Sequence, residues 1–264
     1  MSITRNEIKI LKTLKTTKGR KKENRYIAEG VRLLEESLRF DHLPKMILID
    51  QSQIDDRMEN LLSTMQKKSI RIEKISSKDI EAVADTKSPQ GIIGIFEKRE
   101  LKTSELSLRK PRKILWCENI SDPGNVGTLL RSALAFDFEM IFVSGSTADI
   151  FSPKVVRSAM GAIFKLKIVK DTESEIFKLI KTQNYSLLAA DVLGKPIRVT
   201  GRKYSTKRIV LAIGSEAIGL TDIIKQKADE KIRIEHEKEI ESLNASVAGS
   251  ILMNEFYKME KGPK

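Results

Sequence analysis

Three short stretches hold the polar residues of this chain best suited to chemistry: Asn125 to Arg131 within NISDPGNVGTLLR, Gly214 to Gly219 as GSEAIG, and Glu241 to Asn244 as ESLN. A loop that leaves a strand and feeds a helix is where α/β proteins commonly hold ligands. In the first stretch Pro123 and Gly124 favour a turn, and Asn125 is placed to cap a helix carrying Leu129, Leu130, Leu134 and Phe136. In the second, the apolar run RIVLAI reaches Gly214, whose lack of a Cβ permits a sharp exit, and Glu216 follows at the C-terminal end of that strand. Glu216 either serves a site or caps the next helix. In the third, Ser242 and Asn244 are capping types, and Leu243, Val247, Ile251 and Phe256 predict one buried stripe on the following helix. Ala245, Ser246, Ala248, Gly249 and Ser250 leave so little bulk there that another backbone or a flat ligand fits closely. Taken alone, this stretch also reads as a plain packing helix.

The same inventory argues against several chemistries. Neither G-x-x-x-x-G-K-[ST] nor G-x-G-x-x-G occurs, so neither a P-loop nor an ordinary dinucleotide site is expected. One cysteine, Cys117, and two histidines, His42 and His236, argue against a structural zinc site, and no metal is expected. A lone thiol forms no internal disulfide, and the charged N-terminus MSITRNEIKILKTLK lacks the core of a signal peptide; a cytoplasmic setting follows as the expectation. With no run of 18 apolar residues, no membrane span is expected. The 48 Lys and Arg against 36 Asp and Glu leave a net charge of +12, which points to a polyanionic partner such as nucleic acid. Lys18, Arg20, Lys21, Lys22 and Arg25 form the densest basic cluster and are the candidate RNA contacts, of the phosphate-binding kind that carries little sequence information.

The elements that must position these residues alternate between helix and strand. A basic amphipathic helix over 4–17 precedes helices over 30–39 and 54–67 and strands over 46–49 and 70–75; an apolar run over 91–96 closes a small α/β domain. We place this domain at 1–100, a polar linker broken by Pro111 at 101–112, and a second α/β domain at 113–264. In that second domain strands are expected over 114–117, 140–144, 166–169, 186–191, 208–213 and 231–234, and helices after Asn125, over 154–160, over 173–182 and after Asn244.

Taken together and in this order, N-x-G-x-x-x-R, G-S-E-x-x-G and E-S-L-N resemble the three motifs of SpoU-type, or TrmH-type, RNA 2′-O-ribose methyltransferases of the SPOUT superfamily. The resemblance covers about 150 residues, from Lys113 to the C-terminus. More loosely, GRKKENRYIAEG and SPQGIIGIF resemble the N-terminal L30e-like RNA-binding domain of the ribosomal-RNA branch. The resemblance implies a parallel-sheet domain with a deep trefoil knot, an arrangement that general topology rules would not suggest. It implies S-adenosylmethionine as cofactor, held by Gly214, Ile234, Leu243 and Asn244. It also implies a homodimer through the C-terminal domain, whose active site draws on both chains. Arg131 matches the family's catalytic arginine, with Asn125, Glu216, Ser242 and Asn244 as supporting polar groups.

The implied reaction is in-line methyl transfer to a ribose 2′-hydroxyl, which depends on alignment and on managing the proton and charge of the attacking oxygen. A free guanidinium, with a pKa of about 12.5 to 13.8, is a poor base at neutral pH. Binding a substrate phosphate and stabilising the 2′ oxyanion are the less costly roles for Arg131. One departure stands out: where the family has Ile-Pro-Met followed by glycine, this chain reads Ile234, Glu235, His236, Glu237, Lys238, Glu239, Ile240. Weaker cofactor binding, or a loop that orders on RNA, is one implication, and His236 is expected to be a solvated loop residue. Ribosomal RNA is the expected substrate. Transfer RNA, or a non-catalytic ribosome-assembly role that keeps the fold, are the alternatives.

Overall fold

A computed structural model describes residues 3–106, 111–237 and 239–261. Residues 107–110 of the expected linker and Lys238 of the charged loop lie outside the described residues. In chain order the elements begin with α1 (Arg5–Thr13), α2 (Thr17–Glu23), β1 (Arg25–Glu29), α3 (Val31–Arg39), β2 (Met46–Asp50), α4 (Asp56–Lys67), β3 (Arg71–Ile75), α5 (Ser77–Val83) and β4 (Ile92–Glu97). They continue with β5 (Glu100–Leu101), β6 (Lys113–Glu118), α6 (Pro123–Ala135), β7 (Met140–Ser144), α7 (Pro153–Ala159), α8 (Ala162–Lys165), β8 (Lys167–Lys170) and α9 (Glu173–Thr182). The chain finishes with β9 (Ser186–Pro196), α10 (Ile197–Thr200), β10 (Ile209–Ile213), α11 (Asp222–Lys227), β11 (Glu230–Arg233) and α12 (Ala245–Lys261). Packing divides it into two units, Met1–Lys98 with Asp149–Lys165, and Arg99–Ala148 with Leu166–Lys264.

The first unit holds a four-stranded mixed sheet ordered β1-β4-β2-β3, with β4 antiparallel to both neighbours and β2 parallel to β3. Thr4 and Glu7 form a capping box at α1, which lays Ile8 and Leu11 on a core with Ile27, Leu48, Ile80 and Ile95. The single helix expected over 4–17 is two helices. Thr16 caps α2 by accepting from Gly19 N, and any Cβ at Gly19 would collide with the Thr13 carbonyl, so the chain turns there. Asn24, at φ 51°, ends α2 in the left-handed region and hands Arg25 to β1, a strand the sequence pattern did not reveal. The segment 149–165, with α7 and α8, packs in this unit although it interrupts the second half in sequence.

The second unit is a seven-stranded sheet ordered β11-β9-β10-β6-β7-β8-β5 in which every described neighbouring pair is parallel. Strands β6, β7 and β10 are buried along their whole length, as parallel strands with covered faces are, and this explains why ILWC, MIFV and IVLAI read as unbroken apolar runs. The interval expected as linker begins inside this sheet, because Glu100 and Leu101 pair with Ile168 and Val169 at its edge.

Strands β6 and β10 lie side by side with Cys117 level with Ile213. From β6 the chain goes on to β7 on one side, and from β10 to β11 at the opposite edge. This is a topological switch point, and the loops leaving both strands emerge together there. Helix α12 packs on α6. Its buried face is Ala245, Ser246, Gly249, Leu252, Met253 and Phe256, which corrects the expected stripe: Val247 is 46% exposed and Leu243 and Ile251 are half-buried. At Gly249 α6 and β10 come too close for a side chain. A Cβ at Gly249 would press on Leu129 and Ile213.

Candidate active site

The three polar stretches meet at the ends of β6 and β10. Asp122, rather than Asn125, caps α6: its Oδ1 accepts from Asn125 N at 2.9 Å, with Pro123 in the first turn. The Asn125 side chain is thereby left to reach across to the second stretch, where its Nδ2 donates to Glu216 Oε1 at 2.5 Å. Asn244 Nδ2 donates to the same carboxylate oxygen at 2.7 Å and to Asn125 Oδ1 at 3.1 Å, while Ala245 N approaches Glu216 Oε1 at 3.4 Å. Asn244 Oδ1 accepts from Ser246 N and Val247 N, so Asn244 is the cap of α12. Ser246 Oγ bonds both Asn125 Oδ1 and Asn244 Oδ1, and the polar seam continues through Ser250 to Ser132. Glu216 does not cap α11, the next helix; it is the acceptor that gathers the first and third stretches and reaches the first N–H of α12.

Beside this network lies a cavity of about 290 Å³. Gly214, Ile234, Leu243 and Ser242 line it, against an apolar wall that includes Leu220 and Leu252. Asn244 stands in the adjoining network rather than on the lining. The Gly214 loop is tight: Gly219 N donates to Ser215 O at 2.9 Å, Gly219 sits at φ 68°, and a Cβ on Gly214 would collide with the backbone of Gly219 and Leu220. Ala190, Asp191, Val192 and Lys225 also line the cavity. Sequence reasoning passed over them, although Asp191 was legible as the polar residue ending an apolar strand. His236 is exposed but also lines this cavity, its Nδ1 2.9 Å from Glu237 O, so it is more than a loop residue in solvent.

Arg131 is exposed on α6, six residues beyond Asn125, and no hydrogen bond or ion pair engages it among the described residues. Ser242 is exposed as well. Behind the loops, the buried Glu118 accepts from Asn119 Nδ2 at 2.9 Å and from Thr221 N at 3.0 Å, and so ties the exit of β6 to the end of the Gly214 loop. Burial, together with the neighbouring Glu173, raises the Glu118 carboxyl above the usual carboxylate range. Burial also pushes the Cys117 thiol up to about 12, which removes it as a nucleophile.

In the first unit Lys18, Lys21, Lys22 and Arg25 are exposed. Arg20 is not: it is 2% exposed, bonds Asp149 Oδ2 at 2.7 and 2.8 Å, and donates to Leu14 O, Lys15 O and Thr17 Oγ1. Its place among the expected RNA contacts is corrected, since its donors are spent inside the unit. Among the described residues no group of three or more His, Cys, Asp or Glu is arranged to hold a metal ion, and no helix is long and apolar enough to cross a membrane.

Residues 112–254 match the family described as SpoU rRNA Methylase, and residues 5–94 match an MRM3-like substrate binding domain. The chain is 29% identical over 254 residues to the 23S rRNA (guanosine(2553)-2′-O)-methyltransferase RlmP of Bacillus subtilis, covering 96% of both proteins. It is 32% identical over 160 residues to human mitochondrial rRNA methyltransferase 3, covering 58% of this chain and 36% of the human one. In three dimensions it superposes on an AdoMet-bound rRNA methyltransferase from Sinorhizobium meliloti with a TM-score of 0.84 and 24% identity, over 97% of this chain and 95% of that one. At that identity the likeness establishes a shared fold.

Proposed function

The chain belongs to the SpoU rRNA methylase family, and from that membership we propose that it transfers a methyl group from S-adenosylmethionine to a ribose 2′-hydroxyl of ribosomal RNA. The observation that carries this reading is the convergence of Asn125 and Asn244 on one carboxylate oxygen of Glu216, beside the cavity that Gly214, Ile234 and Leu243 line. Near-full-length similarity to a 23S rRNA 2′-O-methyltransferase supports ribosomal RNA over transfer RNA.

The cavity fits the cofactor. It is of ligand size, it offers apolar walls with a few polar groups, and its Gly214 loop presents backbone where a side chain would not fit. In our reading Gly214, Ile234 and Leu243 hold the cofactor through backbone groups, and Asn244 fixes the wall from the adjoining network. When bound, S-adenosylmethionine supplies an electrophilic methyl carbon on a sulfonium. Glu216 and the two asparagines hold the loops around it in one arrangement, which alignment-dependent chemistry requires. Arg131, with its donors uncommitted, binds the RNA phosphate and stabilises the charge that builds on the 2′ oxygen as its proton passes to solvent water. Ser242, at the cavity, supports the same group.

Finer features belong to the same proposal. The return of the chain from edge strand β11 to α12, packed on α6, supports a deep trefoil knot. The exposed Val192, Leu193, Val199 and Val247 support a homodimer through this unit. The N-terminal unit is an L30e-like substrate-binding domain that uses Lys18, Lys21, Lys22 and Arg25 on RNA phosphates. A cytoplasmic setting suits a chain with a single cysteine, Cys117, and so no internal disulfide. Mapping 2′-O-methyl groups in ribosomal and transfer RNA from cells with and without the gene tests the reading. A ribosomal site that vanishes with the gene is the expected result, and unchanged ribosomal maps would refute it.

A further inference from the structure

One acid and one base stand on the cavity lining apart from the Glu216 network. Asp191 comes from β9 and Lys225 from α11, and both line the cavity with Gly214, Ile234 and Leu243. The Asp191 side chain is 9% exposed; its Oδ1 accepts from Leu193 N at 2.8 Å, and no hydrogen bond reaches its Oδ2 among the described residues. The nearest cation is Lys225 Nζ, at 3.9 Å from Oδ2, too far for a hydrogen bond. Lys225 is 27% exposed and donates no hydrogen bond among the described residues.

A carboxylate so withdrawn from water is costly unless its oxygens find donors, and a loose pair leaves both partners with unused capacity. The cavity therefore presents one free acceptor oxygen and one ammonium with uncommitted N–H groups, about one ligand group apart. A ligand that answers both signs at that separation carries an ammonium and a carboxylate on adjacent atoms, as an α-amino acid does. Of the other charged groups on the lining, Glu216 has its Oε1 committed to Asn125 and Asn244 and is itself exposed, as is Arg233, so neither matches the withdrawn Asp191.

We propose that Asp191 and Lys225 bind the amino-acid end of the cofactor, Asp191 receiving the α-ammonium and Lys225 the α-carboxylate. The inference rests on the methyltransferase reading above. It accounts for a polar pair at the edge of an apolar cavity, and it makes these residues selective for cofactors that keep the amino-acid tail. S-Adenosylhomocysteine carries that tail and 5′-methylthioadenosine lacks it, so the two ligands separate this role from recognition of the nucleoside.

The test is calorimetry at low salt on the full chain, wild type against Asp191→Asn and Lys225→Met, with both ligands. Each variant is expected to weaken S-adenosylhomocysteine about tenfold or more while shifting 5′-methylthioadenosine by less than about twofold. Retained methylthioadenosine affinity also reports that the variant is folded. Equal weakening of both ligands would overturn the assignment, because the pair would then serve the nucleoside or the shape of the cavity. Unchanged S-adenosylhomocysteine affinity in either variant would overturn that residue's part. Wild-type protein that binds neither ligand, with or without RNA, would instead sink the cofactor reading itself.

Discussion

Nδ2 of Asn125 stands 2.5 Å from Oε1 of Glu216, a residue 91 positions further along the chain. The same oxygen takes Asn244 Nδ2 and Ala245 N, so one atom holds the first turn of α6, the loop after β10 and the start of α12 in register. Glu216→Ala releases all three. Because Glu216 is exposed, the stability cost is about 1 kcal/mol, but displacement of the loops lowers methyl transfer about 10²-fold. Glu216→Gln keeps one accepting oxygen and falls between. Thermal melting and single-turnover methylation of ribosomal RNA measure the two effects, and near-wild-type turnover in the alanine variant would show that the network is dispensable.

Arg131 has the opposite profile. Exposed and without a partner among the described residues, it contributes little to the fold, and Arg131→Ala should change stability by less than about 0.5 kcal/mol. Methyl transfer should nonetheless be abolished with cofactor affinity intact. Arg131→Lys should recover little, because an ammonium lacks the planar fork that grips a phosphate. Turnover within about tenfold of wild type in the alanine variant would remove Arg131 from the chemistry.

The basic cluster of α2 divides into two functions. Lys21→Ala and Lys22→Ala should each weaken RNA binding and reduce its salt dependence by roughly one counterion without changing stability. Arg20→Ala should instead leave Asp149 without its buried partner and destabilise the protein by about 3–5 kcal/mol. Filter binding across a salt series, paired with urea melts, separates these outcomes. An Arg20 variant of normal stability and weakened RNA binding would reverse the assignment.

Gly214 is required by space. Any Cβ there meets the backbone of Gly219 and Leu220, which has no flexible end to swing away. Gly214→Ala should therefore open the loop and weaken S-adenosylhomocysteine binding about tenfold or more, since backbone placement sets the contact. Calorimetry with an unchanged dissociation constant would show that the loop tolerates the shift.

What was legible in the chain depended on how local the cause was. Helix α9 and strand β7 occupy the expected residues because Thr172 caps the one and an unbroken apolar run defines the other. The motif residues were legible as types, and Asn125, Glu216 and Asn244 do meet. The stripe on α12 was misjudged because apolar spacing gives no weight to glycine and serine, yet those are the residues the neighbouring α6 accommodates. Arg20 looked like its lysine neighbours, since the partner that buries it is 129 residues away. Asp191 and Lys225 stayed hidden for a similar reason: only the fold brings β9 and α11 to one cavity.

At the far end of α12, Glu260 accepts from Arg112 Nη1 at 2.5 Å and from Lys113 Nζ at 2.7 Å. This clasp fastens the C-terminal helix to the start of β6, and Lys113, 4% exposed, has Asp137 at 3.6 Å as its other anion. Burial raises the Glu260 carboxyl, but the Lys113 hydrogen bond and the Lys113 and Arg112 charges outweigh it, so the net shift is downward. A depressed folded-state value means that the unfolded chain binds the proton more readily. The stabilisation is thus full above the ordinary carboxylate range and is lost as pH falls through the lower, folded value. Glu260→Gln should cost about 1–3 kcal/mol at pH 7, because a nearly buried ammonium loses its main partner. The gap between variant and wild type should narrow as pH drops toward 3, where the wild-type carboxylate is itself being protonated. Urea melts of both proteins at pH 7 and near pH 3 provide the comparison; a gap that stayed constant would mean that Glu260 holds α12 by packing rather than by charge.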